Sequence, residues 1–103
     1  MSEYAKGIEK YHPQVDAAAV DSIVKYCGIA LRNADSSLVS CSDPAELATV
    51  RDGFAAKKLG LSAEQADAAM AKVCAQMKAE HSKHRVTFYY LLAQTTGTMS
   101  KLA

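Results

Sequence analysis

A largely apolar segment near the carboxyl-terminal end of the chain limits the folds that this sequence can adopt. The segment Val86–Ala93 reads VTFYYLLA and is rich in residues that favour β-strands. It shows no alternation of apolar and polar residues, and we find no second segment that would pair with it. An unpaired strand would leave its backbone polar groups without hydrogen bonds. We therefore predict a helix that is apolar on most sides and is the most buried helix of the protein.

Capping residues predict the starts of two helices, one after Asp16 and one after Asp43. Asp16 is a good N-cap, and it precedes apolar residues at spacings of three and four, which are Val20, Ile23, Val24, Cys27 and Leu31. Asp43 and Pro44 suit the N-cap and the first helical position of the next helix, and Glu46 is placed to complete a capping box.

The same reasoning predicts where these helices end and where the following ones lie. The helix that starts after Asp43 has two lysines in its last turn and is expected to end at Gly60, which would take the left-handed conformation. Ser62 and Gln65 predict a capping box at the start of a helix that runs to about Glu80. Its apolar face is expected to hold Ala66, Ala69, Met70, Val73 and Met77. Gly97 is expected to end the apolar helix.

Two segments remain, and they complete the predicted architecture. Ser2–Tyr11 has apolar residues at helical spacing and predicts a short leading helix, while Asn33–Ser42 is rich in Ser and Asp and predicts a loop. At 103 residues the chain suits one domain, residues 1–103. The expected fold is all-α, a single compact domain of four main helices plus a short N-terminal helix.

Composition excludes several classes of function. Twelve Lys/Arg oppose eleven Asp/Glu, a balance that argues against nucleic-acid binding and against an anionic membrane surface as partner. The longest apolar run has six residues, from Phe88 to Ala93, whereas a spanning helix needs about 20. The chain starts without the basic and apolar regions of a secretory signal. A cytoplasmic protein with reduced cysteines is expected.

Cys41 is the first candidate for chemistry. It stands two residues before a predicted N-cap, where the positive end of a helix lowers the pKa of a thiol and makes it reactive. The alternative is a thiol packed beneath the loop. The three cysteines, Cys27, Cys41 and Cys74, are widely spaced and odd in number, and we expect no disulfide between them.

A basic segment is the second candidate. Residues 72–103 hold five Lys/Arg and one Asp/Glu, concentrated around Lys83, His84 and Arg85. If Ser82 caps the last helix, free backbone N–H groups lie beside these cations, as in an anion-binding site. The alternative is a solvated helix junction. The candidate ligand-binding residues are Ser37, Ser40, Cys41, Lys83, His84 and Arg85.

Metal binding and catalysis find little support in the spacing of the residues. Cys74, His81 and His84 would share a helical face only on an unbroken helix, with Cys27, Cys41 or His12 as the fourth ligand, and no zinc-site pattern accompanies them. The serines lack a nucleophile motif. We expect no metal, no cofactor and no catalytic residue.

The aromatic residues of the apolar helix support the leading functional hypothesis. Phe88, Tyr89 and Tyr90 are candidates for an interface, because Tyr is favoured at such surfaces and the helix has more apolar surface than four small partners would cover. We therefore expect a non-enzymatic interaction module that self-associates or binds an unknown protein partner. The alternative is a small-anion-binding or thiol-dependent protein that uses Cys41 and the segment near Arg85.

Three stretches of the chain are familiar together. They are Asp35–Pro44 (DSSLVSCSDP), Lys57–Leu61 (KKLGL) and Arg85–Ala93 (RVTFYYLLA), and they resemble those of a family of small bacterial proteins catalogued as a domain of unknown function. The resemblance covers nearly the whole chain. It implies a compact helical domain in a bacterial cytosol, and it implies no activity and no catalytic residues.

Overall fold

The computed structural model describes residues 8, 15–28, 38–39, 41–78 and 83–102 of the chain. Its α-helices are α1 (Ala17–Cys27), α2 (Pro44–Val50), α3 (Ala63–Gln76) and α4 (Arg85–Thr96). A π-helix (Arg51–Lys58) continues α2, and a short 3₁₀ helix (Met99–Leu102) follows α4. Two short strands, β1 (Leu38–Val39) and β2 (Lys83–His84), form one antiparallel pair. The prediction of an all-α single domain is confirmed.

Helix α4 lies at the centre of the protein, as the sequence predicts. Every residue from Arg85 to Ala93 is buried, and the helix packs against α1 on one side and α3 on the other. These neighbours contribute the apolar faces expected of them, with Val20 and Ile23 from α1 and Met70 and Val73 from α3 all buried. The β-forming composition of α4 is overridden because only a helix satisfies its backbone in this position.

The capping residues that mark the helices are found where the sequence places them. The carboxylate of Asp16 accepts a hydrogen bond from the N–H of Ala19 at 3.2 Å, and that of Asp43 accepts one from Ala45 at 3.0 Å. Ser62 and Gln65 form a complete capping box. Gly60 and Gly97 take positive φ angles of 71° and 69°, which only glycine adopts without strain.

Three features differ from the expectation. Glu46 turns its carboxylate to Arg85, so Asp43 caps α2 with its own side chain. Helix α3 ends at Gln76, four residues before the expected Glu80. His84 is the N-cap of α4, and its Nδ1 accepts a hydrogen bond from the N–H of Val86 at 3.2 Å, a role that the sequence analysis gave to Ser82.

The helix after α2 also departs from regular geometry. Arg51–Lys58 is a π-helix, in which one extra residue widens the turn. The widened turn faces the core with Phe54 and Ala55, both buried. Phe54 there stacks on Tyr89 of α4, with ring centroids 4.1 Å apart. The π-helix ends when the N–H of Leu61 folds back to the carbonyl of Ala55 at 2.9 Å.

The predicted leading helix lies outside the described residues except at Ile8, which is helical and fully buried. Most of the loop Asn33–Ser42 lies outside them as well. Within it, the described pair Leu38–Val39 forms β1, a short strand that the sequence analysis did not predict. None of the helices in the described part of the chain is long and apolar enough to cross a membrane.

Candidate functional site

The strand pair brings the serine-rich segment against the basic segment. Leu38 pairs with His84 and Val39 with Lys83. The start of α2 lies beside the start of α4 as well, because Glu46 contacts Arg85. The two regions that the sequence analysis singled out for ligand binding are therefore neighbours, although they are more than forty residues apart in sequence. We refer to this region as the strand junction, defined by Leu38–Val39, Glu46 and Lys83–Arg85.

Arg85 is the most highly connected side chain of the strand junction. Its guanidinium donates hydrogen bonds to the carboxylate of Glu46, to the hydroxyl of Tyr89 at 2.9 Å and to the carbonyl of Leu38 at 3.3 Å. Burial by itself lowers the pKa of Arg85, but Tyr89 and Glu46 outweigh it and hold the pKa above its ordinary value. The residue therefore stays charged inside the protein.

This arrangement determines what Arg85 offers to a ligand. The residue is 7% exposed, and a carboxylate already compensates its charge. A buried cation with that partner serves to join elements of the fold. An anion that bound to Arg85 would first have to displace Glu46.

Of the other predicted ligand residues, only His84 has a described side-chain contact within the strand junction. The Nδ1 atom of His84 accepts the hydrogen bond that caps α4, so this nitrogen carries no proton there. Lys83 lies in β2, and its side chain is outside the described part of the chain. Ser37 and Ser40 are outside the described residues altogether.

Cys41 and Cys74 form a disulfide bond, with their Cα atoms 5.9 Å apart and a sequence separation of 33 residues. The expectation of three reduced cysteines is therefore wrong for this pair. Cys41 precedes α2 and Cys74 lies in the last turn of α3. The segment α2–π-helix and helix α3 are consecutive and pack together as a hairpin, and this topology places the start of the first beside the end of the second. The bond closes the open end of that hairpin.

The third cysteine, Cys27, is a free thiol in the last turn of α1. Burial raises its pKa from 9.0 to about 11, against a smaller lowering by the positive charge of Arg85. A thiol with so high a pKa carries almost no thiolate at neutral pH and is chemically inert there. Its location agrees with the apolar packing role that the sequence indicates for it.

The predicted interface residues lie inside the protein. Phe88 and Tyr90 are fully buried and Tyr89 is 5% exposed. Burial raises the pKa of the Tyr89 hydroxyl, and Arg85 partly offsets this increase. The hydroxyl of Tyr90 accepts a hydrogen bond from the N–H of Asp16 at 2.8 Å, which joins α4 to the N-cap of α1. In this packing the three rings support the core.

An exposed aromatic residue escaped the sequence analysis. Tyr26 on α1 is 43% exposed and is the large apolar side chain that the described residues leave at the surface. Its ring meets that of Phe54 edge to face, with centroids 5.3 Å apart. Helical spacing gives a signal for it, because Tyr26 lies beside the apolar stripe of Val20, Ile23, Val24 and Cys27 and not within it.

Among the described residues, no three His, Cys, Asp or Glu side chains lie close enough together to hold a metal ion. His81 and His12, two of the candidate ligands, lie outside that part of the chain. Cys41 and Cys74 are occupied by their disulfide.

Comparison with known proteins identifies the family and no relative of established function. No curated protein matches the sequence. Residues 3–100 match the model of a family described as "Protein of unknown function (DUF2853)". Because this match spans nearly the whole chain and includes the three familiar stretches, the chain belongs to that family.

Proposed function

We propose that this chain is a non-enzymatic helical domain whose Cys41–Cys74 pair interconverts between disulfide and dithiol. The observation that carries the proposal is the bond between two cysteines that close the open end of a helical hairpin. The proposal develops the thiol-dependent alternative of the sequence analysis, with Cys74 as the partner of Cys41.

Partial exposure supports a role in exchange. Cys41 and Cys74 are both only partly buried, which favours access by an external thiol. An external dithiol reduces the bond by transferring two electrons and two protons to it. The dithiol is thereby oxidised to its own disulfide, and Cys41 and Cys74 become two thiols. Cys27 takes no part, because its raised pKa keeps it protonated.

The position of the bond suggests what its reduction changes. Cys41 lies two residues after β1, whose Leu38 carbonyl accepts a hydrogen bond from Arg85. It lies two residues before Asp43, the N-cap of α2. Opening the bond removes the covalent link between this segment and α3. The altered surface is the strand junction, and we propose that a protein partner distinguishes its two states.

The experiment that tests this function is a redox titration. The protein is equilibrated in glutathione buffers of graded potential, alkylated, and analysed by mass spectrometry for the Cys41 and Cys74 peptides. We expect a midpoint between about −180 and −260 mV, the range of exchangeable disulfides. A midpoint below about −300 mV is typical of a purely structural bond and would overturn the proposal.

Two variants make that titration specific. Cys27→Ser should titrate with the same midpoint as the wild type, because Cys27 is not part of the couple. In Cys74→Ser the Cys41–Cys74 disulfide cannot form, and Cys41 should be recovered either alkylated or, in the more oxidising buffers, as its mixed disulfide with glutathione. A change of midpoint in Cys27→Ser would show that the pairing in solution is different.

A self-associating interaction module is the second candidate function. The exposed ring of Tyr26 supports it, because Tyr is a common anchor at the centre of interfaces. Sedimentation velocity over a hundredfold range of concentration tests it, with Tyr26→Ala as the variant expected to stay monomeric. A wild-type protein that is monomeric throughout the range contradicts this candidate.

A further inference from the structure

A cleft separate from the strand junction lies between α3 and the end of α4. It is open to solvent on one side, and its volume is about 200 Å³. Leu61, Ala68 and Ala69 form its apolar walls, and Gln65, Lys72, Thr95 and Thr96 supply polar groups. None of these residues takes part in the disulfide or in the contacts of Arg85.

Helical spacing explains why the cleft stays open. Gln65, Ala69 and Lys72 are separated by four and three positions and therefore lie on one face of α3. Between the two longer side chains this face presents only the methyl groups of Ala68 and Ala69. Ala69 is packed into the core and Ala68 carries only a methyl group, so an apolar depression lined by both residues remains between α3 and the end of α4, with a polar group on either side.

Lys72 has no neighbouring carboxylate on its own helix. The residues three and four positions away in both directions are Ala68, Ala69, Ala75 and Gln76, none of which carries a charge. The closest acidic residue along this part of α3, Asp67, forms an ion pair with Arg51 at 3.6 Å. Within the described residues, Lys72 makes no ion pair.

The two threonines of the cleft differ in the hydrogen bonds that their hydroxyl groups already make within the described part of the chain. The hydroxyl of Thr96 donates to the carbonyl of Leu92 at 2.9 Å and lies 2.7 Å from the hydroxyl of Thr98. It is therefore engaged within its own helix end. The hydroxyl of Thr95 has no hydrogen-bond partner in the described part of the chain, and it is the donor on the α4 side of the cleft.

We propose that this cleft binds a short aliphatic monocarboxylate of four or five carbons. The ammonium group of Lys72 and the hydroxyl of Thr95 donate hydrogen bonds to the carboxylate, and the alkyl chain lies on Leu61, Ala68 and Ala69. At roughly 30 Å³ for each non-hydrogen atom, as in liquid water, the volume holds about six or seven such atoms. A single cation over an apolar floor selects a carboxylate with a tail rather than a phosphate, which needs more donors.

Butyrate is the probe that tests the proposal. It is titrated into the ¹⁵N-labelled full-length chain, and we expect saturable shifts of the amide signals of Ala69, Lys72 and Thr95. Lys72→Gln should weaken binding about tenfold or more, because a hydrogen bond to a charged group is lost. Lys25→Gln, an exposed lysine of α1 outside the cleft, should bind as the wild type does.

Two further ligands and one variant separate the proposal from its alternatives. Butylamine has the same tail with the opposite charge, and phosphate has the charge without the tail, so neither should saturate these signals. Equal binding of butyrate to Lys72→Gln and to the wild type would overturn the proposal, as would equal binding of butylamine. Ala68→Leu fills the cleft while Lys72 remains, and it should abolish binding in a protein whose amide spectrum shows that it is folded. Undiminished binding by that folded variant also overturns the proposal.

Discussion

The guanidinium of Arg85 donates to the carboxylate of Glu46, 39 residues earlier in the chain. The Arg85 side chain is 9% exposed and that of Glu46 is 25% exposed, so the pair lies at the edge of the core. Through this contact the first turn of α2 is fixed to the first turn of α4. The same guanidinium also holds β1 through the Leu38 carbonyl.

Replacing Glu46 by Gln should destabilise the protein. The change keeps the shape of the side chain but leaves the charge of Arg85 uncompensated in a buried position. We expect the free energy of unfolding to fall by about 2–3 kcal/mol, measured by urea denaturation. The control is Asp21→Asn, which removes an exposed carboxylate of α1 and should change stability by less than about 0.5 kcal/mol. Equal losses in the two variants would contradict a structural role for the ion pair.

Much of the fold follows from features that are local in sequence. The N-caps Asp16 and Ser62 and the left-handed Gly97 act within one helical turn, so their residue types suffice to identify them. The buried helix follows from an apolar segment that has no strand partner. The caps depend on interactions between residues fewer than six positions apart, and the buried helix is identified from the composition of one short segment together with the lack of a strand partner elsewhere in the sequence.

The candidate site depends on pairings across the fold, which residue types alone do not identify. Glu46 suits a capping box and an ion pair equally well, and the distant Arg85 decides between them. His84 is an unusual N-cap, and it lies in that position because β2 pairs with β1. The disulfide could have been predicted from the sequence, because two helices joined by a turn at Gly60 bring the segments of Cys41 and Cys74 together.

Reduction of the disulfide should lower stability by a predictable amount. The bond closes a loop with a sequence separation of 33 residues, and restricting that loop in the unfolded chain corresponds to about 3–4 kcal/mol. When dithiothreitol is added, we expect the free energy of unfolding to fall by this amount and the urea midpoint to fall with it. The double variant Cys41→Ser/Cys74→Ser should show the lower midpoint without the reductant. Identical midpoints with and without dithiothreitol would mean that the bond does not constrain the unfolded chain.

Cys27 should resist alkylation and should make stability depend on pH at alkaline values. Because burial raises its pKa from 9.0 to about 11, the folded state holds the thiol proton more tightly than the unfolded state does. The resulting stabilisation is fully present below pH 9 and is lost as the pH rises through 11. Iodoacetamide should therefore modify Cys27 in the native, oxidised protein far more slowly than in urea.

The pH effect is isolated by comparison with Cys27→Ala. Tyr89 and other groups also titrate at alkaline pH, but they are present in both proteins. The difference in unfolding free energy between the wild type and the variant should decrease from pH 8 to pH 11. A difference that stays constant over this range would show that the Cys27 thiol is not held protonated by the fold.

Two glycines should respond to alanine with opposite signs. Gly97 has a φ of 69° and ends α4 with its N–H donating to the carbonyl of Gln94 at 3.2 Å. A side chain in this left-handed conformation costs about 1 kcal/mol or more, and Gly97→Ala should lower the melting temperature.

Gly53 lies within the π-helix without a positive φ, and a Cβ there would be 3.6 Å from the Tyr26 hydroxyl, an ordinary contact. Gly53→Ala should therefore stabilise the protein by about 0.5–1 kcal/mol, since glycine in a helix interior restricts the unfolded chain least. Thermal unfolding of the two variants side by side tests both signs, and a loss of stability in Gly53→Ala would show that the π-helix needs the freedom of glycine at this position.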